Sequence, residues 1–172
     1  LRSLGYVQSA QEKKKESFGA EDDVKVLLPY YYRAADALEI SSQGKVQEAI
    51  RLLKEIITEN KFIPHAYTNL ALLYKESGRI KDGLEVLKIA FDHMPGNYDI
   101  FSGIIAFLME DSQDSAVIEG LEAFHFREMD YDPVIWNFAG LAYWHKGNAE
   151  EARKRWERAI EIDAKFPTPY NN

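Results

Sequence analysis

Histidine and acidic side chains are the residues of this chain that could bind a metal ion or take part in catalysis. Four histidines occur, at positions 65, 93, 125 and 145, and none lies at the H-x-H or H-E-x-x-H spacing of a zinc site. Cysteine is absent, which removes disulfides, thiol catalysis and cysteine-bound zinc. We therefore predict no bound metal ion and no cofactor.

Asp111 and Asp114 flank a predicted turn, and Asp114 is expected to cap the helix that follows. The calcium-binding pattern D-x-D-x-D-G is absent, as is the G-x-S-x-G motif of a serine nucleophile. The glycines lie at repeating turns and form no phosphate-binding loop. We predict no catalytic residue, and hence no enzyme, within this chain.

Composition narrows the class of protein further. The 172 residues carry a formal net charge of −7, which argues against a nucleic-acid binder because such a protein needs basic side chains opposite phosphates. No stretch reaches the roughly 18 to 20 apolar residues of a membrane helix, so membrane insertion is not predicted. The chain starts with Leu1, and we expect it to be a piece of a longer protein or a processed product.

The elements that position these residues follow from an internal repeat. Units that start at Tyr30, Pro64, Tyr98 and Pro133 are spaced by 34, 34 and 35 residues. Fourteen residues into each unit, a glycine or serine marks a turn; these are Gly44, Gly78, Ser112 and Gly147.

Side chains before and after this turn column indicate two helices. Large residues recur three and ten residues into most units, which places them on one face of a first helix. Nineteen residues after the start of most units there is a small residue, and large or apolar residues follow it on one face of a second helix. The residues at this position are Ala49, Gly83, Val117 and Ala152. The period is therefore a helix–turn–helix, and no strand is predicted.

This pattern resembles the tetratricopeptide repeat (TPR), a helical hairpin of 34 residues. The clearest match is the unit 133–166, with Trp136, Gly140, Tyr143, Gly147 and Trp156. The resemblance implies an all-α fold, a right-handed superhelix (solenoid) of about four hairpins.

Four units are assigned, at 30–63, 64–97, 98–132 and 133–166, within a TPR domain of 29–172 that follows a linker of 1–28. The third unit departs most from the pattern, because Val117 and Phe124 replace small residues. We expect either wider helix contacts in this unit or a displaced second helix. Residues 167–172 are either a C-terminal cap or the start of a fifth unit.

The resemblance also implies a concave surface lined by the first helices, on which a protein or peptide partner would bind. The positions that would face it are apolar, amide and aromatic; they include Tyr31, His65, Asn69, Lys75, Asp99, Met109, Asn137, Leu141, Trp144 and His145. The Lys and Asn clamp of chaperone-binding TPR proteins is not predicted, because only Asn69 matches it and Asp99 would repel a carboxylate.

The first residues carry a second resemblance. The segment Leu1-Arg-Ser-Leu-Gly-Tyr-Val7 is similar to the end of the catalytic domain in bacterial sulfatase-like enzymes, and the segment from Phe18 to Pro29 is similar to their junction into TPR repeats. This resemblance implies an upstream hydrolase and a location beyond the cytoplasmic membrane. It places no catalytic residue in this chain, since the C/S-x-P-x-R motif is absent.

The sequence thus predicts a non-catalytic scaffold for protein–protein interaction, at the C-terminal end of a sulfatase-like hydrolase. An alternative is a module that self-associates or packs on the upstream catalytic domain, motivated by unpaired end faces and by the run Tyr30 to Tyr32. The partner, the compartment and the oligomeric state are left open.

Overall fold

The computed structural model describes residues 23–165, and every regular element in that range is helical. A 3₁₀ helix, Arg127–Tyr131, separates the sixth and seventh α-helices. The α-helices are α1 (Val24–Ser42), α2 (Val46–Glu59), α3 (Pro64–Glu76), α4 (Ile80–His93), α5 (Tyr98–Glu110), α6 (Asp114–Ala123), α7 (Pro133–His145) and α8 (Ala149–Ile162). The described residues divide into two compact units, 23–104 and 105–165, whose boundary lies within α5.

A tight turn joins the two helices of each hairpin, and it lies at the glycine or serine position that the repeat predicts. The backbone angle φ is 83° at Gly44, 73° at Gly78 and 77° at Gly147, a left-handed region that glycine enters at little cost because it has no Cβ. In the third hairpin the same conformation falls on Ser112, with φ of 55°. The predicted turns are therefore confirmed, and the third turn is strained by its side chain.

The unit 23–104 has a core made by alternating small and large side chains. Helix α1 packs on α2 and α3, and α3 packs on α4. Ala37 and Ala49 are fully buried where backbones approach, and Leu53 and Ile56 fill the space beside them. Each large side chain buried in this way contributes about 1.5–3 kcal/mol.

The unit 105–165 is built around α7, which packs against both α6 and α8. A Cβ atom added to Gly140 would lie 2.7 Å from Cε2 of the Trp156 indole and closer still to its Nε1. Glycine at this position therefore lets α8 place a tryptophan directly on the backbone of α7. Trp136 donates a hydrogen bond of 2.7 Å from Nε1 to the carbonyl oxygen of Met129, which ties the 3₁₀ helix to α7.

Helix α1 begins earlier than the repeat pattern predicts. Its N-cap is Asp23, whose side chain accepts a hydrogen bond of 2.9 Å from the backbone N–H of Lys25. Residues 24–28 of the predicted linker are therefore helical, and Pro29 lies inside the helix. Asp23 accepts a bond from a free N–H group at the start of α1, and its negative charge suits the positive end of the helix dipole. This acidic residue therefore belongs to the start of the helix and not to a linker.

The third hairpin is irregular, as its repeat columns indicate. Helix α6 has 10 residues, whereas α2, α4 and α8 have 14 each. One expectation is wrong here: Asp114 does not cap that helix. Asp114 is its first helical residue, and its carboxylate pairs with the ring of His145.

The predicted C-terminal cap or partial repeat at 167–172 lies outside the described residues, as do residues 1–22.

Candidate functional site

In the unit 23–104, the candidate surface residues of α1 and α3 lie close together. The rings of Tyr31 and His65 meet edge to face, with centroids 5.0 Å apart. His65 is exposed, Tyr31 is half-buried, and Leu72 lies two helical turns beyond His65 with 40% of its surface exposed. These three side chains offer an aromatic and apolar surface to a partner.

Asn69 has a packing role in this unit. Its Nδ2 donates a hydrogen bond of 2.9 Å to the backbone carbonyl oxygen of Ala34, so the amide joins α3 to α1. That carbonyl lies within helix α1, and the extra bond fixes the separation of the two first helices. Asn69 therefore supports the surface formed by Tyr31 and His65.

The charged candidates of this unit differ in exposure. Lys75 is half-buried in the last turn of α3, and Asp99 is exposed in the first turn of α5. Both positions suit the helix dipole, since a cation is favoured at a C-terminus and an anion at an N-terminus. Asp99 thus has a sufficient structural reason to be acidic.

In the unit 105–165, helix α7 exposes a row of apolar side chains. Val134 is 42% exposed and Trp144 is 55% exposed, and the half-buried Asn137 and Leu141 lie between them at helical spacing. Met109, at the end of α5, is half-buried. We call Val134, Asn137, Leu141 and Trp144 the α7 row.

Two members of the α7 row have distinctive surroundings. The Trp144 ring lies 6.0 Å from the Trp156 ring, so its orientation is supported from α8 while more than half of it faces solvent. The Oδ1 atom of Asn137 is buried and has no hydrogen-bond partner. An unpaired buried acceptor costs about 1–3 kcal/mol, which marks Asn137 as a position with unused hydrogen-bonding capacity.

His145 and Asp114 form a pair between α7 and α6. Nδ1 of the histidine and Oδ1 of the carboxylate are 2.9 Å apart, and the histidine side chain is half exposed. The pair joins the C-terminus of α7 to the N-terminus of α6, where a carboxylate suits the helix dipole. We assign it a structural role at the edge of the α7 row.

Sequence reasoning missed a polar cluster on the other side of α7. Tyr143 donates a hydrogen bond of 2.8 Å to Oε1 of Glu122, and the Arg155 guanidinium lies over the rings of Tyr143 and Trp136 at 5.5 and 5.7 Å. Burial, together with the hydrogen bond to Glu122, raises the pKa of the Tyr143 hydroxyl. These contacts join residues far apart in the chain, so no local motif marks them.

Among residues 23–165, no group of three or more histidine and acidic side chains is placed to hold a metal ion. No helix that the structure describes is both long and apolar enough to span a bilayer. Of the predicted surface positions, Tyr31 and His65 lie in contact with each other, and Asn137, Leu141 and Trp144 share the α7 row.

Parts of this chain are similar in sequence to known proteins. Residues 134–166 match the family model of the tetratricopeptide repeat. The TPR repeat-containing protein YvcD of Bacillus subtilis (strain 168) is 33% identical over 104 residues, which are 59% of this chain and 21% of that protein. The chain therefore spans about a fifth of the length of this curated relative.

Solved structures share the fold. A crystal structure of MamA superposes with a TM-score of 0.67 over 87% of this chain and 97% of MamA, at 18% identity. The pilF protein of Pseudomonas aeruginosa superposes with a TM-score of 0.68 over 78% of this chain and 61% of its own, at 15% identity. These likenesses confirm the predicted fold class, an all-α array of helical hairpins.

Proposed function

We propose that this chain, which carries tetratricopeptide repeats, is a non-catalytic module that binds a peptide segment of a partner protein. The α7 row is the observation that supports this most strongly, because an exposed tryptophan and an exposed valine share one helix face. Isolated exposed apolar residues are ordinary, whereas a contiguous row on a helix is typical of a docking surface.

The α7 row has the chemistry that a peptide requires. Trp144 and Val134 would lose their exposed apolar area on binding, and a buried tryptophan is among the strongest anchors of protein interfaces. Asn137 is half-buried between these two residues, and a side-chain amide can bond a peptide main chain without carrying a charge. Apolar anchors flanking an amide suit an extended segment or an amphipathic helix.

A displayed library of random peptides tests this proposal. Peptides enriched on the chain are synthesised, and their dissociation constants are measured by fluorescence polarisation with the unsubstituted chain and two variants. We expect Trp144→Ala to weaken binding by about tenfold or more. Tyr131→Ala is the matched control, because Tyr131 is an aromatic residue of the same unit, 72% exposed, and belongs to the 3₁₀ helix and not to the α7 row.

Failure of the library to enrich any peptide would count against peptide binding. Equal loss of affinity in both variants would reject the α7 row as the binding surface. In the unit 23–104, the same peptides can be measured against His65→Ala, which removes one member of the Tyr31 and His65 pair without touching the bond from Asn69 to Ala34.

We also propose that the chain is the C-terminal region of a bacterial sulfatase-like hydrolase that acts beyond the cytoplasmic membrane. The support is the resemblance of the segments Leu1 to Val7 and Phe18 to Pro29 to the end of that catalytic domain and its junction. The test is the reading frame upstream of Leu1. A C/S-x-P-x-R motif with metal-binding aspartates there is the expected result, and a frame without them would reject this parent.

A further inference from the structure

The α7 row has the spacing of a seam between two helices. Its members follow one another at intervals of three, four and three residues; they are Val134, Asn137, Leu141 and Trp144. This alternation is that of the a and d positions in a heptad, where one helix packs on another. The row is about 15 Å long, so its successive side chains are about 5 Å apart along the helix axis.

This spacing matches another helix and does not match an extended peptide. On an extended strand, the side chains that point to one side recur every 6.5–7 Å or so, and a strand therefore loses register with the row within its length. The main chain favours the same partner. Groups inside a helix are bonded to one another, so α7 offers a peptide main chain little besides the amide of Asn137, whereas a partner helix bonds its own main chain.

The Val134 end of the α7 row is acidic. The residues that lead into α7 include three carboxylates and one guanidinium, those of Glu128, Asp130, Asp132 and Arg127. Asp132 lies at the row itself, because its Oδ1 atom is 2.8 Å from the backbone nitrogen of Val134. A basic side chain of a partner would be attracted to this end.

The Trp144 end of the row has a different charge. Lys146 is exposed at the C-cap of α7, and the neighbouring His145 is paired with the carboxylate of Asp114. A partner helix that runs antiparallel to α7 would place its own C-terminus at the acidic end, and the two helix dipoles would attract each other. Basic residues in the last turn of such a partner would suit both its own dipole and Asp132.

We propose that the α7 row binds an amphipathic helix of a partner protein, antiparallel to α7, with apolar residues at a and d spacing and basic residues in its last turn. This inference rests on the proposed function, because it names the class of peptide that the row takes. Trp144 and Val134 pack between successive apolar residues of the partner. The basic turn sets the direction of the partner, since a reversed helix would bring that turn to Lys146.

Three synthetic peptides of about 18 residues, or five turns, test this inference by fluorescence polarisation with the whole chain. The first peptide has leucine at the a and d positions of an alanine and glutamine background and two lysines in its last turn. The second has the same composition with the lysines in its first turn. The third is the first peptide with two central alanines replaced by proline, which prevents a helix.

We expect the first peptide to bind at least about threefold more tightly than the second and at least about tenfold more tightly than the third. Trp144→Ala should weaken binding of the first peptide by about tenfold. Equal affinity of the first and third peptides would show that the row takes an extended chain. Equal or tighter binding of the second peptide would show that the direction is wrong, and either result would overturn the inference.

Variants of the chain isolate the charge. Asparagine caps a helix about as well as aspartate, so the double variant Asp130→Asn and Asp132→Asn keeps the start of α7. It should reduce the preference for the first peptide over the second to less than about twofold. The matched control, Glu150→Gln with Glu157→Gln, removes two exposed carboxylates of α8 and should leave the preference in place. Equal preferences in the two double variants would contradict the assigned direction.

Failure of this inference and failure of the proposed function give different results. If the three designed peptides do not bind, but peptides from the displayed library bind and lose affinity in Trp144→Ala, the helical partner is wrong and peptide binding by the α7 row stands. If neither the library nor the designed peptides bind, the proposed function itself is rejected.

Discussion

Gly140 of α7 allows a sharp test of the packing in the unit 105–165. In Gly140→Ala, the new Cβ would lie far inside contact distance of the Trp156 indole, which must then move by about 1 Å. Trp156 is 8% exposed and is backed by Trp144, so it has little room to move. Overpacking of this kind costs about 1–3 kcal/mol, and occasionally more.

Helix propensity opposes this cost, because alanine is favoured over glycine within a helix by about 1 kcal/mol. We therefore expect a net destabilisation of up to about 2 kcal/mol, or a fall in Tm of up to about 8 °C. Thermal unfolding followed by tryptophan fluorescence measures it directly, because all three tryptophans, at positions 136, 144 and 156, lie in this unit.

Gly103→Ala is the matched control. Its Cβ would lie 3.4 Å from Cδ1 of Leu87, an ordinary contact distance, so the gain in helix propensity should dominate. We expect this variant to be as stable as the unsubstituted chain or up to about 1 kcal/mol more stable, measured by circular dichroism. If Gly140→Ala were as stable as Gly103→Ala, the close approach of α7 to Trp156 would be refuted.

Three further substitutions test single contacts. Ser112→Gly should stabilise the chain by about 0.5–1 kcal/mol in thermal unfolding, because it relieves a positive φ; a loss of stability would contradict this. Asn69→Ala should cost about 1–2 kcal/mol by removing the bond to the Ala34 carbonyl, and an unchanged Tm would show that the bond is dispensable. Arg33→Gln should raise the pKa of Glu59, which is lowered chiefly by the hydrogen bond from Arg33; NMR titration of the carboxyl carbon measures it, and an unaltered midpoint would reject that cause.

The repeat made the hairpins predictable, because each column encodes a local requirement. Glycine every 34 or 35 residues marks a left-handed turn, and the structure has that turn at Gly44, Gly78 and Gly147. Small residues at Ala37 and Ala49 mark close helix contacts, which the structure also contains. Such requirements depend on a few neighbouring residues, and a single sequence is sufficient to recognise them.

Contacts between distant residues were not predictable in the same way. Asp114 has the residue type and position of a helix cap, yet its carboxylate pairs with His145, 31 residues further along. Asn69 has the residue type of a peptide-binding amide, yet it bonds to Ala34 on the neighbouring first helix. In both cases the alternative partner becomes visible only once hairpins pack, since neither pairing leaves a local pattern.

The first and last helices that the structure describes bear on the alternative that copies of the chain associate by stacking. At the fifth position of the 14-residue second helices, α2 and α4 bury Ile50 and Leu84, whereas α8 has the exposed Arg153. At the front, Asp36 and Glu39 replace the buried residues of later first helices. If a second copy stacked on these helices, Arg153, Asp36 and Glu39 would be buried at positions where neighbouring hairpins within the chain bury apolar residues. Desolvating these charged groups would cost several kcal/mol. We therefore expect sedimentation equilibrium at about 100 μM to find no end-to-end oligomer, and a concentration-dependent rise in mass abolished by Arg153→Glu would contradict this reasoning.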